Sequence, residues 1–377
     1  MATVLLLGDE TPATLGTVRA LRAAGHEPFV ALADPNSYAA RSRAVAGVDH
    51  LADPYGRRAE DTVRDAVAIA ARRGVDVVLP GTEGALRALA GREHRFPRGV
   101  VVGTAPMEAL EKAMDKSALH ALAVAAGLDA LPAVEVSVAD LDQHAADVPL
   151  PGVVKPRATS QARPDGSVSL AGVHPVDTLD EVRRLLERHP EERWLVQRRV
   201  RGTLAAIGGV AWEGRMVCAV HQVSPRIWPP EQGITAFGVT VARDRDRERG
   251  VARLLEAIGW SGIYGLQFLL AEGRAYPIDL NPRIYGSISL AIAAGVNLPA
   301  IWVDLLLGRR PVVADYRVGT GYRVEEDDPR ALLGAWRAGD RRAALRGAWP
   351  RRHTAHAVFS VRDPGPALVT LRKLAGR

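Results

Sequence analysis

The chain has 377 residues, of which 49 are Lys or Arg and 43 are Asp or Glu, so its formal net charge is +6. Apolar residues make up 47% and charged residues 24%, a composition that is typical of a globular protein and excludes a disordered or fibrous one. The length indicates two or three domains. The single cysteine, Cys218, excludes an internal disulfide and a cysteine zinc cluster.

The charge pattern argues against nucleic acid and membrane partners. The isoelectric point is about 9.7, but a charge of +6 is weak for this length, and no run of five or six like charges occurs. The apolar segment Ala2–Leu7 is too short for a signal peptide, and no apolar run of 18 residues exists. We therefore expect a soluble, cytoplasmic protein that binds a small anion.

The first hundred residues alternate between strand and helix patterns. Thr3–Leu7 is a buried-strand run, Thr14–Ala24 has helical spacing, and Pro28–Leu32 reads as a second strand. A helix over Glu60–Arg73 and a strand over Val75–Leu79 follow, with a short strand at 100–102. This alternation predicts a doubly wound parallel sheet. Because ligands gather beyond the carboxyl ends of such strands, we expect 8–12 and 81–83 to share one rim.

A second region begins near Met107. The sequence predicts one long helix over Ala109–Ala126, a strand over Gly152–Lys155, a polar loop over 157–172, and a helix over Leu179–Arg188.

The third region contains further strands and helices, and the tail from Pro311 contains no recognisable motif. Strands are predicted over 194–197, 205–211, 215–223, 264–271 and 274–279, and helices over 243–258, 286–294, 298–307 and 366–374.

The most informative segment is the predicted hairpin from Gly265 to Arg283. Its second strand ends in Asp279 and Asn281, whose side chains share a face because strand side chains alternate, and Gln267 on the first strand could project from the same face. One carboxylate and two amides, without histidine or cysteine, suit Mg²⁺ rather than zinc. Arg283 can place a guanidinium beside phosphates or a carboxylate. An exposed hairpin end with a chance carboxylate is the structural alternative.

Lysine is rare, and two of the four lysines stand where a phosphate contact is plausible. Lys155 ends the apolar run Val153–Lys155, where a buried cation is costly unless an anion meets it. Lys116 opens a helix after Asp115. Lys112 and Lys373 read as surface residues. The phosphate-loop and dinucleotide fingerprints are absent, which argues against P-loop ATPases and standard dinucleotide oxidoreductases.

These motifs, in this order, resemble the ATP-grasp superfamily, in its carbamoyl-phosphate-synthase-like and amino-acid-ligase branch. The resemblance rests on Asp115-Lys116, Val153-Val-Lys-Pro156, the loop 157–172, the strand Val196–Gly202, and the hairpin ending Asp279-Leu-Asn-Pro-Arg283. The segment Leu79–Glu83 matches the strand end of the companion domain that these enzymes carry.

The resemblance implies a fold of mixed α/β and α+β class. A Rossmann-like domain over 1–106 would precede an ATP-grasp fold, whose two α+β subdomains clamp ATP. The first subdomain would span 107–195 with the lid loop, the second 196–312 with the Mg²⁺ site, and 313–377 would be a small C-terminal extension. Family members are often dimers, so a homodimer is an expected possibility.

The resemblance also implies roles for individual residues. Lys116 and Lys155 would contact the phosphates of ATP, and Gln197 with the backbone of Arg198 and Val200 would hold adenine. Gln267, Asp279 and Asn281 would bind Mg²⁺, with Mn²⁺ as an alternative metal. Asn281 and Arg283 would face the reacting carboxyl group, and residues 157–172 would form the lid.

Two departures from the family pattern bear on these roles. Gln197 stands where a glutamate is common, and Leu204 stands where a ribose-binding glutamate often occurs. Arg226 is a further catalytic candidate, because it and His221 are predicted to leave a strand toward the cleft, where Arg226 could neutralise phosphate or bind a carboxylate. A purely structural loop is the equal alternative for this segment.

The expected function is an ATP- and Mg²⁺-dependent ligase that activates a small-molecule carboxylate as an acyl phosphate and joins it to an amine. Phosphoryl transfer requires positioning and charge neutralisation more than a covalent nucleophile. Two alternatives stay open: use of bicarbonate or another acceptor, and a non-catalytic nucleotide-binding module. We expect substrate contacts from the N-terminal rim, the 221–235 loop and the tail.

Overall fold

The structure is a computed structural model. It describes residues 1–156, 160–162, 168–170, 172–190, 192–231, 233–349 and 353–375, with only the backbone described for 160–162, 168–170 and 372–375. Most of the lid loop expected over 157–172 therefore lies outside the described residues.

The N-terminal region is a parallel sheet with helices, as the alternating pattern predicts. Its strands are β1 Thr3–Leu7, β2 Glu27–Leu32, β3 Gly47–His50, β4 Val77–Pro80 and β5 Val101–Val102, and its helices are α1 Pro12–Ala23, α2 Ala59–Arg73 and α3 Glu83–Leu89. The strand order is β3-β2-β1-β4-β5, and each neighbouring pair is parallel. The order reverses between β1 and β4, so the loops after these two strands meet at the topological switch point.

The predicted long helix over 109–126 is two helices, α4 Met107–Met114 and α5 Lys116–Ala125. Asp115 separates them, because its side chain accepts hydrogen bonds from the backbone N–H groups of Ser117, at 2.9 Å, and Ala118, at 3.0 Å. An aspartate in this capping position satisfies N–H groups that the first turn leaves unpaired. Lys116 is consequently the first residue of α5.

An antiparallel sheet forms the next layer. Its strands are β6 Ala133–Val136, β7 Gly152–Pro156, β10 His174–Val176 and β11 Trp194–Arg198, in the order β10-β7-β11-β6, with the helix α6 Leu179–Leu186 packed nearby. Two short strands between β7 and β10, β8 Ser160–Ala162 and β9 Val168–Leu170, pair with each other. Trp194 and Val196 on β11 are completely buried with Val154 on β7, which fixes one face of this sheet in a core.

The largest sheet carries the hairpin singled out in the sequence. Its strands are β12 Thr203–Trp212, β13 Arg215–Trp228, β14 Ile234–Thr240, β15 Gly262–Ala271, β16 Arg274–Asn281, β17 Gly321–Arg323 and β18 Thr354–His356, in the order β16-β15-β12-β13-β14-β17-β18. The helices α7 Arg245–Ile258, α8 Ile288–Ala293 and α9 Leu298–Leu306 cover it.

The tail pairs with the largest sheet and also contacts the N-terminal region. Its strand β17 pairs antiparallel with β14, and β18 pairs parallel with β17, while the helices α10 Asp327–Arg337, α11 Arg341–Ala348 and α12 Gly365–Ala375 complete it. Asp363 accepts hydrogen bonds from Arg19, at 2.8 Å, and Ser42, at 2.6 Å, in the N-terminal region. No helix in the described ranges is long and apolar enough to cross a membrane.

Candidate functional site

The hairpin β15–β16 brings three polar side chains to one face. Gln267 lies directly opposite Asp279 in the antiparallel register, and Gly265 lies opposite Asn281. Because residues two apart on a strand face the same way, the Gln267, Asp279 and Asn281 side chains share a face. All three residues are half-buried, so their oxygen atoms remain reachable.

Lys116 reaches this face from the start of α5. Its Nζ lies 3.7 Å from Oδ1 of Asp279, and its side chain is 11% exposed. The cap at Asp115 fixes where α5 begins, and so aims Lys116 at the end of β16. The helix start at Lys116, which the sequence predicts even though it also predicts one helix over 109–126, is therefore what positions this lysine.

Lys155 is a buried cation on β7. Its Nζ donates to Oε1 of Gln197, at 2.9 Å, and to the carbonyl oxygen of Ile278, at 3.3 Å. In the described part of the chain no carboxylate lies within ion-pair distance of it. The pKa of Lys155 is lowered to about 8, mainly by burial. Asp279 opposes this shift, and Lys116 adds to it. The lysine is thus held in a place that disfavours its own charge.

A narrow cleft separates the β7–β11 sheet from β16. Lys116, Lys155, Gln197 and Ile278 line it, and its cavity volume is about 10 Å³. The backbone N–H of Arg198 donates to the Pro132 carbonyl, at 2.9 Å, and the Arg198 side chain pairs with Glu272. Both groups of Arg198 therefore already have partners within the protein. Val200 packs against a small cluster that contains Leu131 and Tyr276.

A much larger cavity, of about 640 Å³, opens beside the face that carries Gln267, Asp279 and Asn281. Gln267, Asn281 and Arg283 line it, together with Leu204. Asn281 and Arg283 belong to the same strand end as Asp279, which contacts Lys116 in the narrow cleft. β16 therefore contributes to both, with Ile278 lining the narrow cleft and Asn281 lining the large cavity.

The N-terminal rim expected from the strand pattern forms one wall of this cavity. The loop after β1 contributes Asp9–Ala13 and the loop after β4 contributes Gly81–Gly84. Thr11 caps α1 and Thr82 caps α3, which fixes both loops where the strand order reverses. The shared rim is confirmed. Gln222 and Thr235 from the β13–β14 segment and Glu326 from the tail supply other parts of the lining, as the expectation of contacts from these segments anticipated.

Arg226 is placed elsewhere, which corrects its expected position in the cleft. Its guanidinium pairs with Asp328, at 2.5 Å, and lies over the Phe237 ring, 4.3 Å from the centroid. Asp328 is 1% exposed and also lies 2.8 Å from Arg323, without the alignment of a hydrogen bond. A buried carboxylate requires cationic partners, so Arg226 attaches the tail to β13 rather than facing a ligand.

His221, the neighbouring candidate, is also engaged structurally. Its Nε2 lies 2.8 Å from Glu248, and its ring stacks on Tyr316. Burial lowers the pKa of His221, although Glu248 opposes the shift.

Several residues of the large cavity were missed in the sequence. Tyr38, Gln222 and the run Glu325–Asp327 all line it. The tail was expected to contribute substrate contacts, and the four consecutive acids at 325–328 were the available signal for which of its residues do so, but no single residue was chosen. Tyr38 and Gln222 become cavity residues only through tertiary packing.

Comparison with known proteins identifies the fold. Residues 190–328 match a family model described as "ATP-grasp in the biosynthetic pathway with Ter operon". A segment of 91 residues, 24% of this chain, is 31% identical to the arginine-specific large chain of carbamoyl phosphate synthase from Geobacillus stearothermophilus. The chain covers only 8% of the length of that relative.

Two solved structures share most of the architecture. The biotin carboxylase domain dimer of 2-oxoglutarate carboxylase from Hydrogenobacter thermophilus, in complex with MgADP, ADP and bicarbonate, has a TM-score of 0.65 at 16% identity and covers 85% of this chain and 73% of its own. L-amino acid ligase from Bacillus licheniformis has a TM-score of 0.58 at 16% identity, covering 81% of this chain and 74% of its own. Similarity at this level of identity establishes the fold, and the mixed α/β class expected from the sequence is confirmed.

Proposed function

We propose that this chain, which has the ATP-grasp fold, uses ATP to activate a small-molecule carboxylate as an acyl phosphate and joins it to an amine. The observation that carries the proposal is the set of contacts at the end of β16. There, Asp279 contacts Lys116 of a lysine-lined cleft, while Asn281 and Arg283 line a cavity large enough for organic substrates.

The two lysines would hold the phosphates of ATP. Lys155 is buried, contacts only neutral oxygens among the described residues, and has a lowered pKa. An arriving phosphate would remove the cost of its unpaired charge, since an opposite charge nearby favours the charged form. Lys116 lines the same cleft as Lys155 and lies 3.7 Å from the carboxylate of Asp279, and so would face the same phosphates.

The residues at the hairpin fit a magnesium ion. Gln267, Asp279 and Asn281 offer one carboxylate and two amide oxygens on one half-buried face, the hard oxygen donors that Mg²⁺ prefers, with room left for phosphate and water. When bound there, Mg²⁺ would neutralise charge on the phosphate oxygens during transfer. Mn²⁺, which takes the same type of ligands, stays an alternative.

Asn281 and Arg283 would orient the reacting carboxylate at the mouth of the large cavity. Arg283 can bind a carboxylate through parallel N–H donors and would hold it in line with the transferred phosphate. Attack by an amine nitrogen then forms the C–N bond as the C–O bond to phosphate breaks. The phosphate leaves with the bonding electrons, and the nitrogen gives up a proton. The loop 157–172 would exclude water during these steps.

The adenine would lie in the narrow cleft beside Gln197, with the backbone of Arg198 and Val200 at its edge. Gln197 is 3% exposed, and its amide oxygen already accepts a hydrogen bond from Lys155. Its amide nitrogen would thus be left to face the base. The cleft must widen from its present volume to admit a nucleotide, which fits two sheets that close around ATP.

The test is to trap the activated acid. The protein is incubated with MgATP, a panel of carboxylic acids and hydroxylamine, and both ADP and the hydroxamate are measured. At least one acid should give hydroxamate together with equal ADP, because hydroxylamine intercepts an acyl phosphate without requiring the natural amine. Release of ADP that no acid stimulates would overturn the proposal.

Asp279→Ala should lower hydroxamate formation by at least about a hundredfold while the unfolding temperature stays unchanged, since loss of a metal-site group typically costs 10- to 100-fold or more. Asp315→Ala is the matched control, because the Asp315 side chain is 96% exposed and lines neither cavity. Full turnover in the Asp279 variant would refute the metal assignment.

Bicarbonate as the activated acid is the second candidate, because the Hydrogenobacter thermophilus structure contains bicarbonate together with MgADP. A cavity of about 640 Å³ is far larger than bicarbonate needs, which favours an organic acid. Isotope-labelled bicarbonate distinguishes the two: incorporation into product without any organic acid would support this candidate. Tight ATP binding without turnover would instead indicate the non-catalytic module, for which Leu204 in place of a ribose-binding glutamate is the main argument.

The assembly is also a proposal. That same biotin carboxylase domain is described as a dimer, and we extend the homodimer to this chain only as a hypothesis. The mass in solution, measured by light scattering, tests it directly.

A further inference from the structure

The large cavity has a strongly acidic lining. Among the lining residues that the structure describes, six carboxylates face two guanidiniums, those of Arg57 and Arg283. The carboxylates belong to Asp9, Glu10, Glu83, Glu325, Glu326 and Asp327. Arg57 also lies against the Tyr55 ring, 5.8 Å from its centroid. The charge of this cavity is thus opposite to the net charge of the chain.

These carboxylates come from both ends of the chain, and those of Asp9, Glu10 and Glu326 act electrostatically on Tyr38. Burial raises the pKa of Tyr38, and the negative charges of Glu10, Asp9 and Glu326 raise it further. Asp9 and Glu10 follow β1, whereas Glu326 precedes α10 in the tail, so the tail closes the acidic pocket that the N-terminal domain begins.

The negative charge is only partly neutralised within the protein. Glu326 makes no ion pair among the described residues, and the hydrogen-bond donors to Asp9 include the hydroxyl groups of Thr11 and Thr14. Asp327 lies 3.5 Å from Arg330, yet its pKa is raised by burial and by Glu326. Glu325 contacts His356, at 3.3 Å, and two backbone N–H groups. A cationic ligand would supply the charge that the lining lacks.

Two buried polar side chains point to the same kind of ligand. Tyr38 is 7% exposed and lines the cavity, and within the described ranges its hydroxyl group has no hydrogen-bond partner. Gln222 is 5% exposed, and its amide nitrogen donates to Ser287, at 2.7 Å, which leaves its carbonyl oxygen without a partner in the same ranges. Neither oxygen is among the fully buried unpaired atoms of the described residues, so both can be reached from the cavity that the two residues line. The Tyr38 and Gln222 oxygens can both accept a hydrogen bond from an ammonium group.

We propose that this cavity recognises a substrate through an ammonium group that does not react, held by Glu326 and Asp9 together with Tyr38 and Gln222. The inference rests on the proposed ligase function and specifies its amine: a small compound with one amine that is acylated and a second positive charge that is bound. A diamine or a basic amino compound belongs to this class.

The chemistry explains why the bound ammonium and the attacking amine must be different groups. Attack on the acyl carbon requires a neutral nitrogen with a free electron pair, whereas carboxylates stabilise the protonated form. An amine held directly by Glu326 would therefore be inert. One held at its other end would present a neutral nitrogen near Arg283 and the acyl group, and the nitrogen's proton would pass to the departing phosphate as the C–N bond forms.

The experiment compares two probes that share a four-carbon chain and a terminal hydroxyl group and differ in the charge of the other end. 4-Aminobutan-1-ol and butane-1,4-diol are titrated by calorimetry into the MgADP-loaded protein. Aminobutanol should bind about ten- to a hundredfold more tightly than butanediol, the contribution of one charge-assisted hydrogen bond. Equal or tighter binding of butanediol would overturn the proposal.

Glu326→Gln should remove about tenfold or more of the preference for aminobutanol over butanediol. Glu187→Gln makes the same chemical change at an exposed residue outside the cavity and should keep the preference. Asp9→Asn provides a second variant in case Glu326→Gln does not fold, and should weaken the preference in the same direction. A preference that survives in the folded variants of both lining residues contradicts the assignment.

The outcome is independent of the hydroxylamine assay. Charge-selective binding without hydroxamate formation would leave the ammonium pocket standing and reject the ligase function. Hydroxamate formation without charge selectivity would do the reverse.

Discussion

If Lys155 contacts the bound nucleotide as proposed, its lowered pKa should make nucleotide binding depend on pH. Its pKa is lowered from 10.5 to about 8, first by burial and then by Lys116, against the opposing effect of Asp279. Cys218, the only cysteine, is outside this range, because burial raises its pKa to about 11. If bound nucleotide keeps Lys155 protonated, affinity is highest below pH 8 and falls as the pH rises through that value.

The size of the effect follows from the proton that binding must take up. The dissociation constant increases by the factor 1 + 10^(pH − pKa), so a pKa of about 8 predicts a loss of about twenty-five-fold between pH 7.5 and 9.5. An ordinary lysine pKa of 10.5 predicts a change of only about 10% over the same range. The dissociation constant of MgADP, measured by calorimetry at constant ionic strength, distinguishes the two values.

Three variants make the measurement specific to Lys155. Lys155→Arg keeps a cation that does not titrate below pH 12 and should give a flat profile wherever it binds. Lys155→Met should bind weakly at every pH. Lys112→Met should retain the wild-type profile, because Lys112 is a surface residue paired with Glu108. A flat wild-type profile, or a steep one in Lys155→Met, would refute the reasoning.

The same shift has a consequence for stability, with the opposite sign. The folded state binds the Lys155 proton less tightly than the unfolded state, so the stability contribution of this residue is least favourable below about pH 8 and improves as the pH rises toward 10.5. The shift corresponds to roughly 3 kcal/mol. Bound nucleotide should abolish this dependence, because it restores the charged form.

Two further predictions concern the packing that holds the large cavity together. Asp328→Asn should lower the free energy of unfolding by about 1–3 kcal/mol in a urea titration, because it leaves two partly buried guanidiniums without their carboxylate; an unchanged midpoint would contradict this. Gly84→Ala should lower it by about 1–3 kcal/mol, because a Cβ there overlaps the carbonyl oxygen of Tyr55, whereas Gly286→Ala, which meets open space, should be close to neutral. Equal urea midpoints for the two alanine variants would contradict this, because they would show that the backbone near Gly84 can move away from the added Cβ without loss of stability.

Local pattern was sufficient for the fold class and for the N-terminal rim. The parallel sheet follows from alternating strand and helix periodicity, and the meeting of the loops at 8–12 and 81–83 follows from the rule for the ends of parallel strands. The hairpin face follows from alternation alone, and the register of Gln267 with Asp279 is the one in which both side chains share it. The metal and nucleotide roles of these residues stay predictions.

Pattern was not sufficient where two signals compete or where contacts are distant in sequence. Residues 109–126 have continuous helical spacing, yet Asp115 prefers to cap a new helix, and the cap interrupts the run. Arg226 has the chemistry of a ligand-binding residue, but its partner Asp328 lies 102 positions away, in the first turn of α10, where it is buried. Helical periodicity does not reveal the helix break at Asp115, and residue type does not reveal which partner Arg226 has.

The net charge illustrates the same limit for function. A charge of +6 suggests an anionic ligand, and the lysines of the narrow cleft agree with that. The adjoining cavity nevertheless gathers Asp9, Glu83 and Glu326, which are separated by most of the chain length. The electrostatic potential that a ligand meets is set by charges within about a Debye length, roughly 8–10 Å, and not by the sum over the surface. The proposed function needs one ligand site of each sign near Asp279 and Arg283, because it would bring a triphosphate and an amine with a second, positively charged group to the same carboxylate.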